Sequence, residues 1–257
     1  MMSYLKLCVG INRVKMRHFF ALCTCMAASL CATPTSLFWT NCTTDCVAQG
    51  RYHIDIDNYF SLGNRTKNGT SFAPDIGLVA GIPSFIPLSK ELDFETGIDY
   101  LGGKSHPWLL NSKLSLKEGA LFTKAPSLSI GIFNIGTTHS TNQSVVDAVI
   151  GTTLPKKLGR FFAGLYRGNR ALGKHRSGFM VGYQNNICSK KDMAGREYTQ
   201  WQFSADYASQ KNAIGGGGFA ITYHFSPDVT IETGPVWFND TALNGRWKWS
   251  VQVGIDI

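Results

Sequence analysis

The chain has 257 residues, 44% of them hydrophobic and only 16% charged, with 27 glycines and a formal net charge of +8. Low charge with frequent glycine excludes a disordered chain and a coiled coil. No apolar run reaches the roughly 18 to 20 residues of a membrane-spanning helix, and the longest candidate, Phe19 to Ala32, is broken by Thr24 and Ser29. A transmembrane β-barrel stays open, because its strands alternate instead of running apolar.

The first segment is Arg13-Val14-Lys15-Met16-Arg17-His18 followed by the apolar run from Phe19 to Ala28, with small residues at Ala27, Ala28, Ser29 and Ala32. A basic region, a short apolar core and small residues at its end make a secretory signal peptide over residues 1–32, and Met16 offers a second start. Lys6, Arg13, Lys15 and Arg17 lie in that segment, which holds no acid, so its removal takes four of the eight excess positive charges. With no Lys/Arg cluster interleaved with aromatics, nucleic acid is not an expected partner.

Residues 33–51 are polar and carry Cys42 and Cys46; they read as a periplasmic tail or an internal plug. In an oxidising compartment these two cysteines are candidates for a small disulfide loop, which leaves Cys188 free. Two cysteines four apart without a further Cys or His make a poor zinc site. The histidines His53, His106, His175 and His224 are scattered, and no cofactor is expected.

From residue 52 to 257 one rhythm repeats: about ten residues of apolar and polar alternation, then a turn rich in Gly, Pro, Asn, Ser or Lys. Weaker segments fall near 52–60, 72–82, 127–136, 145–153, 160–167 and 178–185. Between them, Leu92, Phe94, Thr96, Ile98 and Tyr100 alternate with Asp93, Glu95, Gly97 and Asp99, and Leu110, Leu114 and Leu116 with Asn111, Lys113, Ser115 and Lys117. Later, Trp201, Phe203 and Tyr207 oppose Gln202, Ser204 and Asp206; Phe219, Ile221 and Tyr223 oppose Ala220, Thr222 and His224; Ile231 and Trp237 oppose Glu232 and Val236. In the last segment Trp247, Trp249, Val251, Val253, Ile255 and Ile257 share one face, and Arg246, Lys248, Ser250, Gln252, Gly254 and Asp256 the other, since side chains alternate with period two. The count is about twelve strands, and the long stretch from Asn185 to Glu197 is expected to hold a small helix or an inserted loop.

Alternation suits a soluble sandwich as well as a membrane barrel. The faces decide: aromatics gather at strand ends on the apolar face, as interfacial girdles do, and the other face mixes charge with glycine. The fold expected is all-β, an antiparallel transmembrane up-and-down barrel of about twelve strands. Its lumen would be lined by Asp93, Glu95, Asp99, Lys113, Lys117, Asp206, Glu232, Arg246, Lys248 and Asp256, with acids of the third strand pairing lysines of the fourth and Glu232 pairing Arg246 and Lys248.

The alternating C-terminal run Trp249, Val251, Val253, Ile255, Ile257 resembles the terminal assembly signal of Gram-negative outer-membrane β-barrels, departing from it by ending in Ile where Phe or Trp is usual. The resemblance spans residues 52 to 257 and is to the class. It implies an outer-membrane location, lipid and the barrel-assembly machinery as partners, and a small porin-like diffusion channel for polar solutes or a structural envelope protein, not an enzyme. A surface-binding adhesin barrel using loops 61–71 and 167–177 is the alternative. An outer-membrane lipid hydrolase built on His139 and its neighbours, or a soluble ligand-binding β-barrel, has less support. Thr141 stands where a nucleophilic Ser would be needed, and Gly215 to Gly218 lacks the Lys-Ser/Thr of a phosphate loop.

Overall fold

The computed structural model describes residues 35–63, 65–83, 90–102 and 107–257, so the predicted signal peptide lies outside the described residues. Twelve antiparallel strands close into a barrel in which each strand pairs its sequence neighbours and the last pairs the first. They are β1 (Tyr52–Phe60), β2 (Asp75–Ile82), β3 (Leu92–Leu101), β4 (Trp108–Leu116), β5 (Ser127–Gly136), β6 (Val145–Thr153), β7 (Arg160–Arg167), β8 (Ser177–Lys191), β9 (Glu197–Ala208), β10 (Gly216–Ser226), β11 (Val229–Phe238) and β12 (Trp247–Asp256). Closure runs from His53 opposite Asp256 to Phe60 opposite Trp249 and leaves no open edge between first and last strand. No described helix is long and apolar enough to cross a membrane.

The period of two sorts the residues by face. On β12, Lys248, Ser250, Gln252 and Gly254 are buried toward the lumen, and Trp249 and Ile255 are exposed outside. On β4, Asn111, Lys113 and Ser115 are buried, and Leu110 and Leu114 point out. Aromatics pair across strands on the outer wall: Tyr100 with Trp108 at 4.9 Å between ring centroids, Trp201 with Tyr223 at 4.6 Å, and Phe219 with Trp237 at 5.7 Å. Such offset and tilted ring pairs are favourable beyond the area they cover.

The stretch from Asn185 to Glu197 holds neither a helix nor an inserted loop. It is the continuation of β8 into a long hairpin with β9, paired as far as Lys191 opposite Glu197 through register shifts at Asn186, Cys188 and Ser189. Pairing of β7 with β8 ends at Gln184, so the seven residues after it, Asn185 to Lys191, pair with β9 alone and run on for roughly 23 Å at about 3.3 Å per residue beyond the last β7 contact. The hairpin tip returns to the barrel where Arg196 Nη2 donates to Asp228 Oδ2, 2.7 Å away, in the turn between β10 and β11.

Candidate functional site

Residues 35–47 thread the barrel interior, and their backbone groups are hydrogen-bonded largely by side chains of the wall. Glu95, wholly buried on β3, clasps both ends of this loop: Oε1 accepts from Thr35 N–H at 2.7 Å, and Oε2 accepts from Thr35 Oγ1 and Val47 N–H, each at 2.7 Å. Across the lumen on β9, Asp206 Oδ2 accepts from the N–H groups of Phe38, Trp39 and Thr40 at 3.1, 2.9 and 2.7 Å. Bends at 37–40 turn three successive amides toward one carboxylate, an arrangement of charge-assisted hydrogen bonds.

The returning arm crosses from β8 to β3. Lys113 Nζ donates to Asp45 O at 2.8 Å and to Thr35 O, and stands 3.5 Å from Glu95, with 2% and 0% of the two side chains exposed. Ser115 donates to Thr44 O, Thr44 and Ser127 hydroxyls meet at 2.7 Å, and Arg160 grips both oxygens of Asp45 at 2.5 and 2.7 Å. Apolar contact completes the seating: Leu37 and Cys42 pack with Phe133, Val149, Phe162 and Met180, and Phe38 packs with Ala220, Val236 and Phe238. Two glycines make room. A Cβ on Gly182 would lie 2.5 Å from Leu37 Cδ2 and 2.9 Å from Cys42 O, and one on Gly218 would lie 2.8 Å from the Phe38 ring.

The expected disulfide is absent: Cys42 and Cys46 are free thiols. Cys42 lies against Gly182 on β8, whereas Cys46 Sγ is 3.9 Å from Asp93 O on β3, almost across the barrel. Four residues of a crossing segment span more than the roughly 7 Å a disulfide allows between Cα atoms.

The other predicted lumen residues divide. Asp93 pairs with Lys117 at 3.2 Å, and Asp99 accepts from Asn111 Nδ2 at 2.7 Å. Glu232 does not meet Lys248: the register sets Gln252 opposite Glu232 and Val236 opposite Lys248. Glu232 instead accepts from Ser204 at 2.7 Å and Thr222 at 3.0 Å. Lys248 turns toward the loop end, where its Nζ donates to Asn68 O at 2.9 Å and Asn244 O at 2.8 Å and stands 4.4 Å from the Phe72 ring centroid. Arg246 is exposed at the rim outside the lumen, because β12 starts one residue later. Asp256 meets His53 Nδ1 at 2.8 Å at the opposite rim. His139 is exposed in the loop after β5.

Two chambers flank the threaded loop. One, of about 520 Å³, opens toward the end carrying Ile257 and is lined by His53, Asp55, Glu232 and Gln252; the other, of about 380 Å³, faces the loop end and is lined by Trp39, Tyr59, Phe72 and Asp75. Ser36 and Asp57 border both. Asp55, Asp57 and Asp75 were not among the residues expected to line the lumen, although the alternation of His53, Asp55 and Asp57 with Ile54 and Ile56 carries the signal. No group of His, Cys, Asp and Glu among the described residues is arranged to hold a metal ion.

A closed barrel with a polar, charged lumen and an apolar, aromatic outer wall decides the class. The chain has the fold of the outer-membrane β-barrels. It is similar to an outer membrane channel from Pseudomonas putida F1, at 9% identity over 83% of this chain and 98% of that one, with a TM-score of 0.47. It is similar also to the NanC porin, at 9% identity over 79% and 98% with a TM-score of 0.38. For the N-terminal β-barrel domain of Pseudomonas aeruginosa OprF the figures are 12% identity, 82% and 100% coverage and a TM-score of 0.21. No protein-family model and no curated protein sequence matches.

Proposed function

We propose that this barrel is an outer-membrane diffusion channel for small polar solutes that rests closed on its own residues 35–50, held in lipid by its aromatic outer wall and inserted through β12 by the barrel-assembly machinery. The loop clasped by Glu95 and Asp206 carries the reading. Twelve strands enclose more space than the roughly eight whose side chains fill a barrel, and less than the 16 to 18 of open porins. Here that intermediate space is divided into two chambers by a segment whose polar atoms are satisfied by the wall. Those polar contacts suit a closure that exchanges its hydrogen bonds for water when it moves, more than they suit a permanent apolar core.

Liposome swelling tests the reading. Vesicles carrying the wild-type chain swell slowly in an uncharged sugar, and vesicles carrying Asp206→Ala swell several-fold faster. Equal and negligible swelling of both, with folded barrels present in the membrane, removes the channel reading.

A further inference from the structure

We propose that the chamber at the loop end is a binding site for an organic cation bearing a primary ammonium group. The inference rests on the channel reading, since it names the solute class that the chamber would take.

Asp57 on β1 and Asp75 on β2 stand directly opposite each other in the register, both on the lumen face. Asp57 lines both chambers. Asp75 lines the chamber at the loop end, and its Oδ1 is buried without a hydrogen-bond partner among the described residues. Two carboxylates facing each other across neighbouring strands repel, and a cation between them relieves the repulsion. The nearby buried lysines are engaged elsewhere: Lys248 on Asn68 O and Asn244 O, Lys113 on Glu95 and the threaded loop.

The same chamber is walled by Trp39, Tyr59 and Phe72, with ring centroids 5.4, 5.8 and 6.3 Å apart. Aromatic faces attract ammonium groups, most strongly where water is excluded. Lys248 Nζ already lies over Phe72 at 4.4 Å, so this cluster accepts such a contact within the chain itself. Opposed carboxylates supply acceptors for the N–H donors, and the rings cover an aliphatic stem. A volume of about 380 Å³ fits a small organic molecule. A bare metal ion does not use the aromatic wall, and the described carboxylates and imidazoles form no metal-holding group.

Titration calorimetry on the folded full barrel in detergent tests this with 1,4-diaminobutane, 1,4-butanediol and magnesium chloride as probes. The diamine binds, the diol does not, and Asp57→Asn and Asp75→Asn each weaken the diamine at least tenfold while heat-modifiable migration on a gel stays unchanged. Phe72→Leu weakens it several-fold and retains the carboxylates. Equal binding of diol and diamine, a preference for magnesium, or unchanged affinity in Asp57→Asn overturns the proposal. Diamine binding without solute flux in vesicles would sink the channel reading alone, and flux without diamine binding would sink this inference alone.

Discussion

Asp206 Oδ2 accepts both the backbone N–H and the hydroxyl of Thr40, at 2.7 and 3.0 Å, across 166 residues of sequence. With the amides of Phe38 and Trp39 on the same oxygen, this carboxylate holds the apex of the threaded loop. Replacing Asp206 by Ala leaves three buried amides unsatisfied, at about 1–3 kcal/mol each before water enters. The loop is therefore expected to detach while the twelve strands stay paired. Limited proteolysis should cut Asp206→Ala between residues 35 and 50 and leave the wild type intact there.

The base of the loop depends on Glu95 and Lys113. Both are buried, so removing one partner strands the other charge, a loss of about 3–5 kcal/mol. Lys113→Met should accordingly lower the unfolding midpoint in urea more than Lys117→Met, whose lysine is 48% exposed beside Asp93. Equal effects of the two substitutions would contradict the geometry.

Gly182 is expected to tolerate no side chain while the loop is seated. Gly182→Val brings a methyl-bearing carbon against Leu37 and Cys42, an overpacking of about 1–3 kcal/mol. The strain is relieved if the loop leaves, so the variant should react with thiol reagents at Cys42 under conditions where the wild-type thiol stays protected.

The outer wall makes a depth-dependent prediction. Ile221 lies in the middle of β10 and points away from the lumen, opposite Thr233 on β11. If that face meets lipid, Ile221→Arg costs about 2–4 kcal/mol in vesicle-bound unfolding, and an arginine at the rim about 0–1 kcal/mol. A cost near zero at Ile221 would place this face in water.

The hairpin tip should be released by acid. Asp228 is held below the ordinary carboxylate range by the hydrogen bond from Arg196 and then by that from Arg51, at 2.7 and 2.8 Å. A carboxylate whose pKa is lowered in the folded state supports the contact fully above its free value of about 4, and the support is lost as pH falls through the lowered value. A spin label at Met193→Cys, in a Cys188→Ser background, should stay restrained at pH 7 and become mobile as the pH is taken below the range in which a free carboxylate titrates.

The twelve strands and the inward charges of β3, β4 and β9 are legible in the sequence because period-two alternation is strong there. The β8–β9 hairpin is not, since Asn185 to Lys191 carries Ile187 as its one aliphatic side chain and shows no period-two alternation, and what holds it is pairing with β9 and the distant contact of Arg196 with Asp228. The site itself is a matter of register. Glu232 and Lys248 share the lumen face in the sequence, and only the alignment of β11 with β12 separates them. The loop is harder still: nothing local in Thr35 to Val47 says which carboxylates, 48 and 166 residues away, will take its amides.

The central claim is that residues 35–50 close the pore, and a reversible lock on that segment tests it most directly. The hydroxyls of Thr44 and Ser127 meet at 2.7 Å, so Thr44→Cys with Ser127→Cys, with Cys42, Cys46 and Cys188 replaced by Ser, can tie the loop to β5. In planar bilayers the oxidised protein should show no conductance steps, and reduction of the same membrane should bring them back. Conductance of equal size before and after reduction would contradict the account.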